Sequence, residues 1–89
     1  MQEFQIVESP EGCRLVGIDI HTSTHLPLPI TPVDAKALIL AAFKSDDDKP
    51  RSEFHGVLAD KTANGVRVHR VAKDSWFEIP WTVIARDLT

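Results

Sequence analysis

The sequence predicts an α+β fold: an antiparallel sheet of about five strands with one main helix packed on one face, in the order ββαβββ. Three observations predict it. Thr31–Lys44 carries helix signals at both ends and no breaker between Pro32 and Lys44. Segments of alternating apolar residues flank it on both sides. Asn64-Gly65 then lies between two such segments, and Asn-Gly is the strongest short-range hairpin signal. The 89 residues make one domain over 1–89, near the lower end of what folds without disulfides or metals.

Taken in order, Glu3–Val7 reads as a strand with Phe4 and Ile6 on one face. Glu8-Ser-Pro-Glu-Gly12 is a turn, and Cys13–His21 resumes as a strand with Val16, Ile18 and Ile20 on its apolar side. Thr22–Ile30 holds two prolines that force extended backbone, so it reads as a rigid lead into the helix. Leu26, Leu28 and Ile30 are placed to staple the helix start along the surface.

In the helix, Thr31 is placed to cap the first free amides and Pro32 suits the first helical position. Asp34 sets a negative charge in the first turn. A step of roughly 100° per residue gathers Val33, Ile39, Leu40 and Phe43 into the face expected to meet the sheet, with Lys36 at its margin. Asp34, Ala35, Leu38, Ala41, Ala42 and Ser45 fall opposite. That side has no charge after Asp34. It is either an ordinary run of good helix formers or a smooth surface that a partner covers. Ala35, Leu38, Ala41 and Ala42 are therefore the first candidates for protein interaction.

After the charged run Ser45–Pro50, Phe54–Lys61 and Val66–Ala72 form a hairpin around Thr62–Gly65. An even loop puts Val57, Ala59, Val66 and Val68 on one face, with Arg67 and His69 on the other beside Asp60. An odd loop would mix Val68 with Asp60, so the even loop is expected. Asp74-Ser75 turns the chain into Trp76–Ile79, where Phe77 and Ile79 share a face. Pro80 ends that strand or holds it at an edge. Trp81–Leu88 is one helical turn or a last strand, and Trp81, Val83 and Ile84 should close the core either way.

Composition narrows the function classes. The chain is 43% hydrophobic and 26% charged, which is ordinary for a globular protein. No apolar run approaches the roughly 20 residues a membrane span needs. The N-terminal residues lack the basic and apolar regions of a secretory signal. With Cys13 as the one cysteine, a cytoplasmic location is expected. The net charge is −3; residues 1–43 carry two basic and five acidic side chains, and 44–89 carry eight of each. That balance gives no general attraction to nucleic acid or to an anionic membrane.

Sites of chemistry are sparse. His21 and His25 stand at H-x-x-x-H spacing, but on a strand end and loop, and a mononuclear zinc site needs further ligands from Asp19, His55 or His69. Neither Cys13 nor any of Ser9, Ser23, Ser45, Ser52 and Ser75 sits in a nucleophile motif with an oriented base. Asp46, Asp47 and Asp48 form a solvated run without the alternation of a calcium loop. No catalytic residue, metal site or cofactor is expected.

Lys61, Arg67, His69, Arg70 and Lys73 form a basic hairpin followed by Trp76, a combination suited to phosphate contacts and base stacking. Alternation spreads these cations over both faces, however, so nucleic-acid binding is the second reading. Trp76 and Trp81 are expected as core or edge anchors; an exposed Trp would instead mark a protein-binding hot spot. The leading expectation is a non-enzymatic cytoplasmic interaction module, self-associating as a homodimer or binding another protein. It would use a sheet edge or the Ala35/Leu38/Ala41/Ala42 face.

Overall fold

The computed structural model describes residues 1–45, 51–71 and 75–89, with Arg51 and Ser52 described by backbone alone. Among the described residues, seven strands and two helices follow one another: β1 (Glu3–Ser9), β2 (Gly12–Ile18), β3 (Ser23–Leu28), α1 (Pro32–Phe43), β4 (Arg51–Phe54), β5 (Val57–Lys61), β6 (Gly65–Arg70), β7 (Trp76–Pro80) and α2 (Trp81–Asp87). The fold is α+β and antiparallel throughout. The strands are shared between two sheets, β1-β2-β3 and β4-β5-β6-β7, in place of one sheet of about five.

Two segments account for the difference. The segment expected as a rigid lead is in fact strand β3, with Leu26 opposite Leu15 and Leu28 opposite Cys13. It tolerates Pro27 because β3 is an edge strand, and alternation along the ladder turns the proline nitrogen away from β2. Leu26, Leu28 and Ile30 are buried rather than laid along the surface. Expected as one strand, Phe54–Lys61 instead turns sharply at His55-Gly56. Both residues have positive φ, 48° and 79°, the signature of a two-residue type I′ hairpin. His-Gly satisfies that turn without the Asn-Gly signal that betrays it in sequence.

Elsewhere the expected register holds. Lys61 pairs with Val66 across an even loop, and Val57, Ala59, Val66 and Val68 are all fully buried. Phe77 and Ile79 share the same inner face. Gly65 is required where it stands: a Cβ there would lie 1.8 Å from the Ile79 carbonyl oxygen. In β2 the inward set is Cys13, Leu15 and Gly17. Ile20, expected on the apolar side, is exposed beyond the strand end.

α1 begins as its sequence dictates. Thr31 Oγ1 accepts the Asp34 amide at 3.2 Å and Pro32 opens the first turn. The face it buries is different from the one expected. Ala35, Leu38, Ile39 and Ala42 point into the core, Leu40 and Phe43 are half-buried, and Val33 is 77% exposed. These four occupy positions i, i+3, i+4 and i+7, an unbroken helical stripe. The stripe wins because α1 touches strands of both sheets, and alanines let its backbone approach closely where larger side chains would hold it off. The larger apolar side chains flank the contact.

The core draws on both sheets and both helices, and the Phe4 and Phe77 rings, 5.8 Å apart, join sheet to sheet. The C-terminal segment is a helix, with Val83 and Ile84 buried and the Trp81 ring 5.6 Å from Phe43. Its end is tied to β1: Asp87 Oδ2 accepts the Phe4 amide at 3.1 Å, and the Arg86 guanidinium bonds both Asp87 and the Gln2 carbonyl. No described helix is long and apolar enough to cross a membrane.

Two outcomes follow. Leu38→Ala should destabilise the protein by about 3 kcal/mol in urea unfolding, a core value, where an exposed side chain would change stability by about 0.5 kcal/mol or less. Arg86, and then the Phe4 amide, hold the Asp87 carboxyl below the usual carboxylate range. A lowered folded-state pKa contributes stability above the unfolded value and loses it as pH falls through the folded one. The urea midpoint of Asp87→Asn should therefore lie below that of the wild type at neutral pH and converge with it under acid conditions.

Candidate functional site: the outer face of the four-stranded sheet

Strand alternation builds this site. With Val57, Ala59, Val66, Val68, Phe77 and Ile79 turned inward, the register places Leu58, Asp60, Arg67, His69, Trp76 and Glu78 together on the outer face. Asp60 lies opposite Arg67, Arg67 opposite Glu78, and His69 opposite Trp76. Trp76 is 58% exposed, a large apolar ring left in water on a strand whose other face is buried.

The ring is held from one side. The Arg67 guanidinium stands 4.9 Å from its centroid, within cation–π range, and lies 3.8 Å from the Glu78 carboxylate. Glu78 Oε2 is in turn 3.1 Å from Thr62 Oγ1, the hydroxyl that accepts the Asn64 and Gly65 amides in the β5–β6 loop. Beside them His69 Nε2 meets Asp60 Oδ2 at 3.0 Å, and Leu58 is buried beneath the polar layer. The face is thus an ordered set of paired polar side chains around one exposed indole. It offers stacking, apolar contact and paired hydrogen bonds to a ligand.

The sequence-predicted candidates fall differently. Ala35, Leu38 and Ala42 are core residues, and of that proposed surface Ala41 alone is exposed, so no smooth helix face is presented. The five basic candidates do not converge. Arg67 and His69 are on the outer face in the pairs just described. Arg70 lies on the opposite face, across from Val57. Lys61 donates to the Ser45 carbonyl at 2.8 Å and sits 5.5 Å from the Trp81 ring. Lys73 and the Asp46–Asp48 run lie outside the described residues.

The histidines also remain apart: His25 contacts Ser23, His55 is at the β4–β5 turn, and His69 is with Asp60. Among the described residues no group of three His, Cys, Asp or Glu side chains is arranged to hold a metal. Cys13 is buried, which pushes its thiol pKa up and suppresses the nucleophilic thiolate.

Trp76, expected as a core or edge anchor, lies on the edge strand β7 but is exposed. The signal was present, because a strand that turns Phe77 and Ile79 inward must turn Trp76 and Glu78 outward. Comparison with protein-family profiles, curated proteins and solved structures finds no match to the chain.

Trp76→Ala should leave folding stability within about 0.5 kcal/mol of the wild type. It should also remove the solvent-exposed, red-shifted component of the tryptophan emission, leaving the half-buried Trp81.

Proposed function

We propose that this chain is a non-catalytic protein-interaction module that contacts a protein partner through the outer face of its four-stranded sheet. The observation that carries the reading is the exposed Trp76 ring braced by Arg67. Trp and Arg are the residues most enriched in binding hot spots, and a rigid aromatic loses little side-chain entropy on contact. Glu78, itself bonded by the Thr62 hydroxyl, stands 3.8 Å from the Arg67 guanidinium that lies over the ring. A location in the cytoplasm is part of the proposal, supported by a single, buried thiol.

The alternative, nucleic-acid binding through Lys61, Arg67, His69, Arg70 and Lys73, has less support. Arg67 and His69 face carboxylates, and Arg70 is on the other side of the sheet.

Affinity capture from lysate, with the wild type and Trp76→Ala as paired baits and with and without nuclease, tests the reading. A protein retained by the wild type under nuclease and lost with Trp76→Ala is expected. Retention that nuclease abolishes, or that Trp76→Ala leaves unchanged, would contradict it.

A further inference from the structure

We infer that the free edge of β1 is a self-pairing site for a second copy of this chain, with an antiparallel register fixed at Ile6 opposite Glu8 and a two-fold axis at Val7. The inference rests on the chain being an interaction module but not on Trp76.

The edge is open over a short, defined length. Because the Phe4 amide reaches Asp87 of α2, it points away from β2; alternation turns the amides and carbonyls of Ile6 and Glu8 the same way. Among the described residues neither amide has a partner. The edge is closed at one end by α2, whose Asp87 occupies the Phe4 amide and whose Arg86 occupies the Gln2 carbonyl. It is closed at the other by Pro10, which has no amide to donate.

A two-residue edge bounded in this way has one self-complementary antiparallel register. Ile6 of each copy exchanges two hydrogen bonds with Glu8 of the other. Phe4, already satisfied, falls opposite Pro10, which cannot donate. The blocked positions coincide, so no donor is lost.

Side chains favour the same register. Val7, on the outer side of the sheet and 43% exposed, would meet Val7 of the second copy across the axis in a non-hydrogen-bonded pair, where side chains approach most closely. On the inner side, β1 and the start of α1 flank a groove of about 470 Å³ lined by Ile6, Pro32, Val33, Lys36 and Leu88. Lys36 and Glu8 are both exposed, and neither has an ionic partner among the described residues. The register brings Glu8 of the second copy opposite Ile6, on the side of the sheet where Lys36 stands, and symmetry repeats that charge match. Val33, 77% exposed on the helix, is covered by the same docking.

The test uses the full chain in sedimentation equilibrium, with folding checked by circular dichroism. A concentration-dependent dimer is expected. Lys36→Glu and Glu8→Lys should each weaken it about tenfold, and the two together should restore it to within about threefold. Val7→Cys should form a disulfide-linked dimer on mild oxidation, because Cα atoms in such a pair lie about 4.5 Å apart. Gln5→Cys, displaced from its counterpart by more than about 10 Å along the strands, should not. Trp76→Ala should leave the dimer intact. A protein that stays monomeric at every concentration overturns the inference, as does a double charge reversal that fails to restore pairing. Equal cross-linking at residues 5 and 7, or a dimer lost with Trp76→Ala alone, also overturns it.

Discussion

The close approach of α1 to two sheets at once is the constraint from which the rest of this structure follows. A helix that must lie against strands of both sheets needs a narrow, shallow face, and Ala35, Leu38, Ile39 and Ala42 supply one. Leu40 and Phe43 then flank the contact, with Phe43 packing on Trp81 of the short second helix. Because the helix packs on the inner faces of both sheets, a single core draws on β1, β2, β3, β5, β6 and β7. On the outer face of the four-stranded sheet, Trp76 and Arg67 are left exposed.

This division of labour moves the candidate interaction surface from the helix to the sheets. On the four-stranded sheet the outward positions form a connected set: Trp76 against Arg67, Arg67 near Glu78, Glu78 against Thr62, and His69 against Asp60. Charges paired in this way limit non-specific attraction to polyanions, while the indole still presents its exposed surface. On the three-stranded sheet the relevant feature is backbone. α2 and Pro10 leave a gap of two residues in an otherwise protected edge, a form of control expected where unrestricted strand addition would lead to aggregation.

Much of this was legible in the residues. The Thr31 cap, the Asn64-Gly65 loop with its even register and the inward positions of Phe77 and Ile79 all follow from local rules, and the structure keeps them. The buried helix face is rotated from the expected one, sharing Ile39 with it, because the 100° sector was centred on the largest apolar side chains and left the alanines out. Ala35 and Ala42 looked like filler, whereas in a helix squeezed between sheets small volume is what the site selects. The third strand was hidden by Pro27, which argues against a central strand but not against an edge. The β4–β5 turn was hidden because histidine at positive φ carries no dipeptide signature. The exposure of Trp76 was implied by the alternation of its own strand and was overridden by the general tendency of tryptophan to be buried.

Backbone amide hydrogen exchange, compared between dilute and concentrated protein, tests most directly whether contact is made at the surfaces the helix leaves free. The account predicts that the Ile6 and Glu8 amides, open at low concentration, become protected as concentration rises, while the Phe4 amide, already held by Asp87, changes little. Protection that does not depend on concentration at Ile6 and Glu8, or that rises at β4 or β7 and leaves β1 untouched, would contradict it.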